Sequence, residues 1–352
     1  MRFKENRMYK KKIIFIYPSL YTFIQTDIKL LSEDFELITV NQNWSRKLLL
    51  PINIFYQFFF LLINMHKVET ILVSFAGYCS FLPALLGRIF NKKVAVIVHG
   101  TDCVSFPEIE YGNLRNIILS FVTKKSLQWA SIILPVSESL VYTENNYYSS
   151  KTLKFGYNYH LSNIKTSYRV IHNGLNVLSW VRDNSITRNE TSFVTVLGEG
   201  KIKIKGVDLI IKVASRFPNS IFYLAGIENI KGYDVPKNII CKGRLKPEEL
   251  KVLYNQSQFY LQLSNTEGFG VALCEAMLCE CIPLVSNVNF LPTIVGDSGF
   301  VLKKRNSEML FDLINGALNS DTIVFERRAR KRIKDNFSVS KRKKLLLSIL
   351  KN

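Results

Sequence analysis

Glu267 and Glu275 stand with seven residues between them in the run Ser264–Met277, with Gly268-Phe269-Gly270-Val271 directly after the first of them. The apolar stretch Phe259–Leu263 reads as a strand and a helical pattern begins near Val271. Gly268 and Gly270 therefore fall on a strand-to-helix turn at the carboxyl edge of a sheet, where open α/β sheets bind ligands. Glycines let backbone approach a ligand closely, and the free N–H groups of a helix's first turn, reinforced by its dipole, stabilise a phosphate. A diphosphate fits there. Glu275, about one turn into the helix, is placed to accept two hydrogen bonds from a ribose diol, and Glu267 on the loop to reach sugar hydroxyls. Taken singly, Glu267 also reads as a loop charge and Glu275 as a complement to the helix dipole. The whole stretch favours a ligand, since Ala276-Met277 follows and Pro283 sits on the next strand.

A second glycine turn, Leu197-Gly198-Glu199-Gly200, runs into Lys201, Lys203 and Lys205 before Gly206 and a helix. Cations there would offset charge developing on a departing phosphate, although any one of these lysines also reads as a solvated loop charge. In the first half, His99-Gly100 ends the apolar run Val94–Val98, so His99 would face the same cleft, with a packed or capping histidine as the alternative. Ser137, after Pro135-Val136, reads as a helix N-cap without catalytic role.

Short β-branched runs position these residues. Ile13–Tyr17, Glu36–Val40, Thr70–Ser74, Val94–Val98 and Ile132–Val136 alternate with helical patterns, and Ser192–Leu197, Ile221–Ala225, Asn238–Cys241, Phe259–Leu263 and Ile282–Ser286 repeat the scheme. Two parallel-sheet domains follow, joined through the polar interval Arg182–Thr191. Ser340–Leu350 reads as a helix with a basic face that needs a surface to pack on.

A length of 352 residues suits two cores, and 47% hydrophobic content excludes wholesale disorder. The formal charge of +19 favours anions. Much of the excess sits in Arg2–Lys12, Lys303–Arg305, Arg327–Lys334 and Lys341–Lys344, which read as exposed helix faces and ends. The six cysteines form no CxxC pair and read as reduced core thiols, and no Asp-x-Asp is present to bridge a diphosphate through a metal. The apolar run behind the basic amino terminus is too short for a signal peptide. Leu48–Met65 is almost wholly apolar but is interrupted by Pro51, Asn53, Gln57 and Asn64. It reads as a buried helix, with a membrane-surface helix as the alternative and a spanning helix disfavoured.

Together these motifs resemble the retaining glycosyltransferases of family 4, whose fold is the two-Rossmann-domain arrangement called GT-B. The resemblance covers nearly the whole chain. The family's Glu-x7-Glu motif corresponds to Glu267 and Glu275, its hinge to Val170–Asn176, and further stretches to Gly198–Asp208, Lys242–Leu250 with Arg244, and Gly296–Leu302. It implies His99, Lys205 and Glu267 as catalytic residues. Donor contacts would come from Gly198, Lys201, Lys205, Arg244, Glu267, Gly268, Phe269, Gly270, Val271 and Glu275. Glu199 departs from the arginine usual after the first glycine, so Lys201 or Lys203 would have to supply that cation.

The expected organisation is an acceptor-side domain over residues 1–182, a donor domain over 183–335 and a carboxyl-terminal helix, 336–352, returning to the first domain. The implied activity is transfer of a sugar from a nucleotide-diphosphate donor to an acceptor hydroxyl with retention, in surface polysaccharide or glycolipid assembly. No cofactor and no metal are expected. The partners would be the donor and a lipid-linked saccharide or polysaccharide acceptor, with no nucleic acid, in the cytoplasm or peripherally on the inner face of an anionic cytoplasmic membrane. A sugar-nucleotide epimerase of the same fold and a non-catalytic basic protein binding membrane or nucleic acid are the alternatives.

Overall fold

The computed structural model describes residues 10–44 and 46–351, so the basic run expected over Arg2–Lys12 lies outside the described residues up to residue 9. The first half contains β1 (Lys12–Tyr17), α1 (Thr22–Ser32), β2 (Glu36–Asn41), α2 (Leu50–Asn64), β3 (Thr70–Ser74), α3 (Tyr78–Ile89), β4 (Lys93–Val98), α4 (Ile117–Trp129) and β5 (Ile132–Pro135). The five strands pair in parallel in the order β2-β1-β3-β4-β5. Helices cover both sheet faces, so the central strands are continuous apolar runs rather than alternating ones. A small hairpin, β6 (Thr143–Asn145) and β7 (Leu153–Phe155), and the short α5 (Tyr157–His160) follow.

The second half contains β8 (Asn189–Val196), α6 (Val207–Ala214), β9 (Ile221–Ala225), β10 (Ile239–Cys241), α7 (Pro247–Gln256), β11 (Ser257–Gln262) and α8 (Val271–Leu278). It continues with β12 (Ile282–Ser286), α9 (Leu291–Val295), β13 (Phe300–Leu302), α10 (Ser307–Leu318), α11 (Thr322–Asn336) and α12 (Val339–Leu350). Its sheet is parallel in the order β10-β9-β8-β11-β12-β13. The order reverses between β8 and β11, so the loops bearing Gly198 and Glu267 leave neighbouring strands at the switch point where such sheets open a crevice.

The carboxyl-terminal helix returns to the first half, as expected, but not through an exposed basic face. Arg342 is buried against Asp27 of α1 with bonds of 2.6 and 2.7 Å, and it also donates to the carbonyls of Ile171 and His172. Other residues expected on exposed basic faces are half-buried and bonded to neighbouring elements. Arg330 donates to the carbonyls of Leu278 and Trp180, and Arg332 to those of Ile294 and Thr293. Arg305 pairs with Asp208. Helix-end carbonyls need donors, and guanidinium groups supply them. The interval Arg182–Thr191 is likewise docked rather than free. Arg188 caps the end of α8 at the Cys279 and Glu280 carbonyls, and β8 begins inside the interval.

The Leu48–Met65 expectation is corrected as well. Only Gln57 and Leu61 of α2 are buried, and its aromatic side faces outward. Pro83 inside α3 leaves the Cys79 carbonyl without its helical donor, and the Gln57 amide provides one at 3.0 Å. The polar residue is thus the anchor. Among the described residues no helix is long and apolar enough to cross a membrane.

Candidate functional site

Lys205 and Glu267 come from neighbouring loops and meet, Nζ to Oε2, at 2.6 Å. The geometry of Gly206 fixes where Lys205 sits. Gly206 has φ +68°, and a Cβ there would lie 2.1 Å from the Leu263 carbonyl oxygen, so the lysine loop lies directly on the end of β11. Glu267 Oε2 also accepts from Gln262 Nε2 at 2.7 Å and Ser264 Oγ at 3.1 Å. The Glu267 amide donates to Asn289 Oδ1 at 2.9 Å, as the Thr266 hydroxyl does at 3.0 Å. One carboxylate oxygen is thus held three ways, and neither the Asn289 brace nor Gln262 and Ser264 stand out in the sequence.

The same loop forms the contact between the halves. A Cβ on Gly268 would lie 1.8 Å from the His99 carbonyl oxygen, and Ser137 Oγ donates to the Gly268 carbonyl at 2.7 Å. Ser137 makes no side-chain cap, so its expected N-cap role gives way to this bond across the cleft. His99 Nε2 is 2.7 Å from Ser74 Oγ, its Nδ1 has no partner among the described residues, and its ring packs on Phe23 and Phe75 at 4.6 and 4.4 Å. Burial holds the imidazole pKa well below its ordinary value, with the Arg342 charge adding to it, so the ring is neutral at neutral pH.

Asp102, which the sequence reading passed over, builds that strand end. Its carboxylate accepts from the amides of Ala76, His99 and Gly100 at 2.8–3.3 Å, joining the loops after β3 and β4. Burial raises its pKa against the lowering effect of those bonds. An acid four residues past a strand end is the signal that could have flagged it. Tyr111 also reaches the cleft, with Lys201 Nζ 5.4 Å from its ring centre.

Four of the remaining predicted donor contacts divide between two cavities. Gly198 and Arg244 line one of about 550 Å³ together with Glu199, Gly226 and Glu228. Val271 and Glu275 line another of about 470 Å³, shared with Phe23 and Lys29 of α1 and with the hinge around Asn173. Glu275 is half-buried there, and burial pushes its carboxyl up to about 8. Gly270 precedes α8 with a positive φ, leaving the first-turn amides of that helix facing the crevice. Phe269 points away from it, into a cluster with His172, Phe290 and Phe337. Lys203 stays on the surface and offers its backbone carbonyl to Asn265. Among the described residues no three His, Cys, Asp or Glu side chains group to hold a metal ion.

Comparisons with known proteins point the same way. Residues 182–336 match the family described as glycosyl transferases group 1. GDP-mannose:cellobiosyl-diphosphopolyprenol alpha-mannosyltransferase of Xanthomonas oryzae pv. oryzae (strain PXO99A) is 28% identical over 176 residues, so the chain matches 46% of that relative's length and 46% of its own. Sucrose-phosphate synthase from Thermosynechococcus elongatus superposes with a TM-score of 0.76 at 15% identity, covering 97% of this chain and 98% of that one. Anabaena HepE in complex with UDP and glucose superposes with a TM-score of 0.73 at 15% identity, covering 97% and 100%. These likenesses carry the fold, two Rossmann-like domains facing across a cleft in the GT-B arrangement. The half that holds Lys205, Glu267 and Glu275 is the part that matches the glycosyl transferases group 1 family.

Proposed function

We propose that the protein transfers a glycosyl group from a nucleotide-diphosphate sugar to a hydroxyl of a lipid-linked saccharide or growing polysaccharide, with retention and without a metal ion. The observation that carries this reading is the Lys205–Glu267 pair set across the cleft from His99. The seven residues between Glu267 and Glu275 support membership of the retaining family 4. In this reading the diphosphate lies on the first turn of α8 and against Lys205, which together stabilise the charge that develops as the bond from the sugar's anomeric carbon to phosphate breaks. The acceptor oxygen attacks from the same face and its proton passes to the departing phosphate oxygen. Glu267, its Oε2 fixed, presents Oε1 to sugar hydroxyls, and neutral His99 lies beside the sugar. Glu275 takes the ribose diol. The relatives' names support the two substrate classes, since one acts on a diphosphopolyprenol-linked saccharide and a structural neighbour holds UDP and glucose. The same acceptor class favours a peripheral position on the inner face of a cytoplasmic membrane.

The test is a panel of nucleotide sugars with chelator present, read as nucleotide release and as thermal stabilisation. One donor should score in both assays. Lys205→Ala should slow release with that donor by about 10²–10³-fold. Undiminished release by Lys205→Ala would remove the assignment.

A further inference from the structure

The first-half sheet sorts its helices by connection. The steps β2 to β3, β3 to β4 and β4 to β5 all run the same way through the strand order, so right-handed crossovers put α2, α3 and α4 on one face. The step β1 to β2 runs back and puts α1 on the other, where α12 covers it. Among the described residues the α2–α4 layer has no such cover. Ile52, Phe55, Tyr56, Phe59 and Ile63 form one helical stripe along α2, and Ile117, Ile118 and Phe121 another along α4, with Phe55 and Ile118 66% and 65% exposed. Exposed apolar stripes of this size on neighbouring helices are uncommon on a monomer unless something binds them.

Its charge selects the partner. Helices α2, α3 and α4 carry Arg88, Lys124 and Lys125 and no Asp or Glu, in a chain that has 28 acidic residues elsewhere. Lys125 lies 5.7 and 5.8 Å from the ring centres of Phe121 and Trp129, so cations and apolar rings are interleaved as at a lipid headgroup boundary. The layer's edge also opens toward the candidate site. A cavity of about 580 Å³ is lined by Leu50, Ile118, Trp44 and Tyr78 on the layer's side, and by Phe75 and Tyr21 toward the cleft. Phe75 packs on His99. Trp44 stacks on Tyr78 at 6.4 Å, and its buried Nε1 has no acceptor among the described residues. Aromatic faces with one unmet donor suit a saccharide.

We propose that the α2–α4 layer docks on an anionic lipid bilayer, and that the Trp44 cavity receives the saccharide of an acceptor still anchored in that bilayer. The inference rests on the glycosyl-transfer reading for the acceptor's role but not for the docking itself. The layer supplies apolar area for the acyl boundary and cations for anionic headgroups. The cavity's position lets the sugar reach His99 without the lipid leaving the membrane.

Docking is measured by co-sedimentation of the full chain with phosphatidylcholine vesicles with and without phosphatidylglycerol, with no donor or acceptor present. Wild type should bind the anionic vesicles and release in high salt. Phe55→Glu/Phe59→Glu should weaken binding at least tenfold, and Lys124→Ala/Lys125→Ala should remove most of the preference for phosphatidylglycerol. Lys341→Ala/Lys344→Ala on α12 should leave both unchanged, and unaltered thermal melting of each variant shows that it folds. Absence of vesicle binding, or a concentration-dependent dimer abolished by Phe55→Glu/Phe59→Glu, would overturn the docking while leaving nucleotide release from the donor intact. For the cavity, octyl glucoside titrated below its micelle concentration should give a saturable change in tryptophan fluorescence that disappears in Trp44→Phe. A response that persists in Trp44→Phe, or no response in wild type, would overturn the second half of the proposal.

Discussion

At the scale of residues, the two acids of the central motif differ in what holds them. Glu267 is pinned by Lys205, Gln262 and Ser264. Glu275 faces a cavity, and burial lifts its carboxyl from an ordinary 4.5 to about 8. Between those values the folded chain holds a proton that the unfolded chain has lost, so stability falls as pH rises through that window. Glu275→Gln should therefore melt with wild type at pH 4 and about 2–4 °C above it at pH 9 by calorimetry. Equal melting at pH 9 would mean that burial does not hold the proton. Binding should run the other way. The amide presents one acceptor oxygen where the carboxylate formed above about pH 8 presents two, so at pH 9 the variant should lose about tenfold or more in donor affinity, measured by titration. Glu267, Glu275, Lys205 and His99 were legible because glycines and strand ends mark them. Asn289, Asp102 and Gln262 were not, because each acts through a backbone amide or a neighbouring side chain brought near only by folding.

At the scale of elements, the loop between β11 and α8 makes the contact between the halves and, in the proposed reading, also carries the ligand. Gly268 passes so close to His99 that any side chain must part the lobes. Gly268→Ala should cut kcat tenfold or more with little change in the melting temperature, because the strain is relieved by opening rather than unfolding; full activity would show that the lobes do not close on this contact. Ser137→Ala removes a single bond, worth about 1 kcal/mol, and should act in the same direction more weakly. The parallel strands could be read in advance because strands buried on both faces are unbroken apolar runs. The hairpin of β6 and β7 could not, since its strands are only three residues long. Helix α2 was misread for a different reason: hydropathy reports that a face is apolar, not whether protein covers it.

At the scale of the whole molecule, α12 ties the end of the chain to α1 through Arg342 and Asp27, both almost fully buried and 315 positions apart. No local pattern reveals such a pair, and a basic helix face was the natural misreading. Removing one partner strands the other charge, so Arg342→Met should cost about 3–5 kcal/mol in urea unfolding, and adding Asp27→Leu should restore most of it. An additive double variant would show that the two groups do not act as a pair. The central claim concerns the cleft that this tie helps to shape. Its most direct measurement is a transfer assay with chelator present, using the donor that stabilises the protein and a lipid-linked saccharide fraction, with the anomeric configuration of the product read by NMR. The account predicts a sugar-linked product with the donor's configuration, formed at least 10²-fold more slowly by Lys205→Ala. An inverted product, or equal rates for the two proteins, would contradict it.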